Sequence, residues 1–124
     1  MVSALRHITI NSLDPYELAT FWSQVLGLPL DDDDHPGDPA AVIRLDEHQM
    51  ILFVTVPEAK EVRNRIHFDV MPTDRTRDEE VVRLLALGAT QIDDRRRPDG
   101  SGWVVMADPE GNEFCVERSQ AEKA

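Results

Sequence analysis

The sequence predicts an α+β fold built of two tandem modules, each running strand, helix, then two or three strands. Three observations carry this. A short alternating strand followed by an amphipathic helical stretch occurs twice. Matching markers recur at a near-constant interval, His7 to His67 at 60 positions and Gly27 to Gly88 at 61. Each helical stretch is followed by β-type runs separated by turn residues. The 124 residues suit a single domain, 1–124, with module one at about 1–60 and module two at about 61–120.

In module one, "LRHITI" reads as a strand in which Ile8 and Ile10 alternate with His7 and Thr9. "DPYELATFWSQVLG" reads as a helix. Asp14 caps it, Pro15 suits its first position, and Glu17 completes a capping-box-like arrangement. Leu18, Phe21, Trp22, Val25 and Leu26 fall at helical spacing, and Gly27 stops the helix. "AVIRL" and "QMILFVTV" are strands around a turn at "DEHQ". The intervening "LPLDDDDHPGDP" reads as a solvated acidic loop containing His35, and His48 as a turn residue.

Module two repeats the order. "RIHFDV" is a strand with Ile66, Phe68 and Val70 on one face and His67 and Asp69 on the other. "TDRTRDEEVVRLLALG" is a helix with a capping box at Thr76 and Glu79, an apolar stripe through Val82 and Leu85, and a stop at Gly88. "TQIDDRRRPDGSG" holds one short strand and a hairpin tip whose Arg95–Arg97 run reads as flexible. "GWVVMA" and "EFCVE" are strands flanking the turn "DPEGN".

Bulk properties narrow the function. The chain is 41% apolar, enough for a core, and no stretch resembles a membrane span. A net charge of −11 and a pI near 4.6 argue against nucleic-acid and anionic-membrane partners, which need a basic face. The first residues lack a signal-peptide pattern, and the one cysteine, Cys115, forms no intramolecular disulfide, so a cytoplasmic setting is expected.

When the modules are overlaid at their last strands, Val54 falls on Glu117. His7, His67 and Glu117 then all lie on faces opposite the helix-covered side. With the modules side by side, they converge on one surface. Two histidines and a carboxylate suit a divalent metal, Fe, Mn, Ni, Co or Zn, with positions left open for substrate. The competing reading is three unrelated polar residues facing solvent. Cys115 shares the strand face of Glu117, and an inert buried thiol is its default reading.

The tandem pattern, with "RIHFDV", "EEVVRLLALGA" and "GWVVMADPEGNEFCVE", resembles the glyoxalase / bleomycin-resistance / extradiol dioxygenase superfamily, the vicinal oxygen chelate proteins, over nearly the whole chain. The resemblance is greatest to small bacterial glyoxalase-like proteins. It implies two βαβββ modules forming one cupped, mostly antiparallel sheet with helices outside, and a homodimer. It also implies metal-ligand positions at His7, His67 and Glu117, with a fourth at Val54. Valine cannot ligate, so the four-ligand glyoxalase I set is incomplete, which speaks against lactoylglutathione lyase activity.

Two functions follow from different classes. One is an enzyme, a lyase, isomerase or dioxygenase, whose metal on His7, His67 and Glu117 chelates oxygens of a small substrate. The other is a metal-free binding or resistance protein. Its apolar cup, lined by Met50, Leu52, Val54, Trp103 and Cys115, takes an antibiotic-like small molecule.

Overall fold

The structure is a computed structural model and describes residues 1–123. The chain divides into two compact units, one spanning Met1–Ala59 and one beginning at Lys60. No helix among the described residues is long and apolar enough to cross a membrane.

The first unit runs β1 (His7–Ser12), α1 (Pro15–Leu26), β2 (Ala40–Arg44) and β3 (Met50–Thr55). β3 is central, parallel to β1 and antiparallel to β2. Parallel neighbours need a crossover, and α1 supplies it. The Asp14 carboxylate accepts the Glu17 N–H at 3.3 Å, and Pro15 opens the first turn. At the other end Gly27 adopts φ 68° and returns its N–H to Ser23. Leu18, Phe21 and Trp22 are buried with Ile51 and Phe53 of β3 and Ala41 and Ile43 of β2. Phe21 and Trp22 meet edge to face at 5.3 Å.

Between α1 and β2 the first unit makes only one antiparallel bridge, Leu30 to Ile43, instead of a third strand pair. Pro29, Pro36 and Pro39 remove ladder donors, and the four aspartates have low β-propensity. The acidic run differs from the expected solvated loop. Asp31 pairs with Arg44 at 3.0 Å, and Asp34 accepts the Val42 N–H at 2.8 Å, so half the run fastens the loop to β2.

The second unit runs β4 (Phe68–Val70), α2 (Arg77–Leu87), β5 (Thr90–Asp94), β6 (Trp103–Ala107) and β7 (Glu113–Glu117), ending in a 3-10 turn at Ala121–Lys123. Its sheet order is β4-β7-β6-β5, with β4 parallel to β7 and the other pairs antiparallel. Phe114, Val116, Val104 and Met106 alternate into the core together with Leu84 of α2. The two units thus hold mixed sheets and one helix each, an α+β architecture of repeated modules.

Three local expectations are corrected. The first strand of the second unit starts at Phe68, and Ile66 is 82% exposed. The segment before it bonds to a side chain and not to a ladder, because Asn64 donates its N–H to Glu113 at 2.9 Å. Along α2 the buried row is Arg77, Glu80, Val81 and Leu84, whereas Val82 and Leu85 are 67% and 44% exposed. Arg77 sets this rotation by donating to the Gly102 and Gly100 carbonyls, both at 3.0 Å. The arginine tip is held in place. Arg95 pairs with Asp93 at 2.7 Å, Arg96 with Asp94 and Asp78, and the Arg97 guanidinium lies 5.9 Å from the Trp103 ring centre.

Two substitutions separate the local devices. The reciprocal Thr76–Glu79 capping box is present, and its loss in Thr76→Ala is expected to destabilise by about 1 kcal/mol. Gly102 has φ +89°, and a Cβ there would meet the Arg95 carbonyl oxygen at 2.1 Å. Gly102→Ala is therefore expected to destabilise by more than ~2 kcal/mol. Urea unfolding midpoints of the two variants check the ranking.

Candidate functional site

The face of the second sheet opposite its core is built by the odd-numbered residues of β6 and β7. Glu113, Cys115 and Glu117 alternate with the buried Phe114 and Val116. Trp103 stands directly across from Glu117, and Val105 across from Cys115. On the other side of β7, Asp69 pairs directly with Cys115. His67 lies two residues before Asp69 and so reaches the same face. These residues, with Arg63, Asp93, Arg95 and Gly102, line a cavity of about 590 Å³.

His67, Asp69 and Cys115 bring one ligand atom each within 4.8 Å of one another, the one such group among the described residues. His67 Nδ1 lies 3.3 Å from Asp69 Oδ1, with both side chains about half exposed. Burial pushes the Cys115 thiol up, and the charge of Asp69, a hydrogen bond to it and the charge of Glu117 carry it to about 11, against the pull of Arg63. Glu117 has one ion-pair contact, Lys123 at 3.9 Å, and stays 45% exposed, so its carboxylate is available.

Glu113 is committed elsewhere. Burial alone would raise its carboxyl, but the Asn64 N–H and the Lys60 ammonium outweigh this and hold it below the usual range. Lys60 sits 3.0 Å away. Glu113 therefore anchors the 60–64 segment that leads into His67. Arg63 has no ion-pair partner within 4.0 Å among the described residues, and it lines the cavity.

Of the residues singled out in the sequence, His67, Glu117, Trp103 and Cys115 line this cavity. His7, Met50, Leu52 and Val54 belong to the first unit. His7 begins β1, and Met50, Leu52 and Val54 are the half-buried alternates of β3. The pairing registers match between units. His7 precedes the Ile8–Ile51 pair by one residue, as His67 precedes Phe68–Phe114. Val54 lies three residues past Ile51, and Glu117 three past Phe114. Asp69 is the site residue missed at the level of sequence. Its signal is its place two residues after His67 on an alternating strand, but its contact with Cys115 needs the register.

The paired units, each a helix over a mixed sheet whose first and last strands are parallel, define a class of duplicated α+β proteins with a polar sheet face. The sequence matches the Glyoxalase-like domain family over residues 7–117, and the chain belongs to that family. No curated protein matches the sequence. Solved structures with the same fold include a mutant of the fosfomycin resistance protein FosX from Listeria monocytogenes, complexed with Mn(II) and 1S,2S-dihydroxypropylphosphonic acid. It is 19% identical, with 99% of this chain and 98% of that chain covered and a TM-score of 0.70. A glyoxalase/bleomycin resistance protein/dioxygenase family enzyme from Burkholderia phytofirmans is 20% identical over 92% and 97%, with a TM-score of 0.67. Lactoylglutathione lyase from Agrobacterium tumefaciens is 24% identical over 96% and 95%, with a TM-score of 0.60.

The two perturbed groups give opposite pH signatures. A thiol near 11 holds roughly one hundredth of the thiolate of an ordinary cysteine at about pH 8. Alkylation of Cys115 by a neutral reagent should be slow there and still rising with pH above 9.0, the ordinary cysteine value. The lowered Glu113 carboxyl favours the ionised form in the fold. Its contribution is full above the unfolded value of 4.5 and is lost as pH falls through the lower folded value. Glu113→Gln should be less stable than wild type at neutral pH, with a shallower stability loss below pH 4.5, as read by circular dichroism.

Proposed function

We propose that the protein binds a small, oxygen-bearing molecule in the cavity of its second unit and acts on it with a divalent metal, in a lyase, isomerase or dioxygenase reaction. The observation that carries this reading is that an imidazole, His67, and an available carboxylate, Glu117, open into one cavity of about 590 Å³. That size suits a small ligand. The donor chemistry fits a divalent ion, since neutral imidazole and carboxylate are ordinary ligands of Fe, Mn, Ni, Co and Zn. When bound, such an ion supplies Lewis-acid polarisation of a substrate oxygen.

The chain's own residues do the rest. Arg63 offers a charge to an anionic or polarised oxygen of the ligand. Trp103, with Arg97 on its ring, forms a flat wall, and Val105 adds an apolar patch. Glu113 keeps the segment before His67 in place and takes no part in binding. In the first unit His7 holds the register position that His67 holds in the second.

A metal-free binding protein is the second reading. It is favoured by Val54, an apolar residue at the register position that Glu117 holds in the second unit.

The tag-free protein, stripped of metal, separates the two. Under the metal reading, Mn, Fe(II), Co, Ni or Zn at 100-fold its dissociation constant stabilises by about 2.7 kcal/mol. The thermal shift is then lost in His67→Ala and reduced in Glu117→Gln. No shift with any of the five ions would overturn the metal reading. Stabilisation by apolar small molecules in the presence of a chelator would then support the binder.

A further inference from the structure

We infer that the second unit carries a mixed nitrogen–oxygen–sulfur metal site, formed by His67, Asp69 and Cys115, that takes a borderline-soft divalent ion such as Zn²⁺ or Co²⁺. This deepens the metal reading above, and it shares His67 with that reading but does not use Glu117.

The three ligand atoms already lie within 4.8 Å of one another. Two ligands about 2.1 Å from a tetrahedral ion stand roughly 3.4 Å apart, and His67 Nδ1 and Asp69 Oδ1 stand 3.3 Å apart. The two atoms stand at ion-pair distance. A tetrahedral ion would bring the Cys115 sulfur to roughly 3.6 Å from each of the other two ligand atoms, inside the 4.8 Å they now span.

The backbone holds the donors in place. Asp69 and Cys115 are directly paired residues of hydrogen-bonded neighbouring strands, so their side chains rise side by side from one face. His67 reaches that face from two residues upstream. All three border the cavity, which leaves the fourth coordination position toward solvent or a ligand. Donor type sets the preference. Thiolate and imidazole favour Zn²⁺ and Co²⁺, whereas Mn²⁺ and Mg²⁺ favour oxygen. Binding is a ligand exchange. The Cys115 S–H gives its proton to solvent, the sulfur bonds to the ion, and the ion releases a water.

Cobalt titration of the full-length, tag-free protein tests this. We expect a near-ultraviolet thiolate-to-cobalt charge-transfer band that saturates with one equivalent. The band should be absent in Cys115→Ser and in Cys115→Ala, and present in Glu117→Gln. Outer-shell partners alone are worth about 10–100-fold in metal affinity, so Asp69→Asn should weaken cobalt binding at least that much. Circular dichroism of each variant confirms folding. Absence of cobalt binding in the wild type overturns the inference, as does a band that survives in both cysteine variants. Cobalt binding without the band, lost in Glu117→Gln, overturns it while leaving the His67–Glu117 reading standing. A thiolate band in a protein that no small molecule stabilises supports the site and removes the enzymatic reading instead.

Discussion

The parallel pairing of β4 with β7 is the constraint on which the second unit depends. It joins Phe68 to Phe114 and Val70 to Val116 across a long stretch of intervening chain. Parallel strands cannot be joined by a tight turn, so α2 and the β5–β6 hairpin have to be laid down between them. The register is enforced by burial. Phe114 and Val116 are fully buried, and a one-residue slip would turn Cys115 and Glu117 into the core. Burying an unpaired carboxylate is costly enough to forbid that alternative. The pairing that builds the core therefore also sets Asp69 beside Cys115 on the opposite face.

The first unit uses the same frame with different side chains. Its β1–β3 pairing places Thr9 opposite Leu52, where the second unit has Asp69 opposite Cys115. The core-facing positions stay apolar in both units, with Ile51 and Phe53 in one and Phe114 and Val116 in the other. Only the outward face diverges. A repeated module can therefore keep its folding interactions while its outward pairs differ, Thr9 with Leu52 in one unit and Asp69 with Cys115 in the other.

Much of this was legible in the sequence, for identifiable reasons. Helix ends were readable because capping is local. Asp14, Thr76 with Glu79, Gly27 and Gly88 act through residues within one turn. The outward face of Glu117 follows from strand alternation, a period-two rule needing no tertiary knowledge, whereas His67 stands one residue ahead of β4. The rotation of α2 was not legible. "VVRLLAL" offers two overlapping apolar stripes one residue apart. The choice falls to Arg77, whose long side chain is buried against the 100–102 backbone. Composition marks that arginine as a surface residue. Ile66 was misread for a similar reason, since the segment before it is captured by the distant Glu113 side chain.

The distribution of ionisable groups over the second unit has a physical logic. Folding is supported by the apolar face and by polar groups with assigned partners, such as Glu113 with Lys60 and Asn64, and Glu80 with Arg83. The cavity face holds the opposite kind of group. His67, Asp69 and Cys115 stand close together, and Glu117 lines the same cavity, all with partial exposure. The β4–β7 ladder fixes the backbones of Asp69 and Cys115 beside each other on this face. The fold is shared with proteins only 19–24% identical. Fold alone does not set function, so the outward side chains, with the two-residue spacing that brings His67 and Asp69 near Cys115, are where function is to be tested.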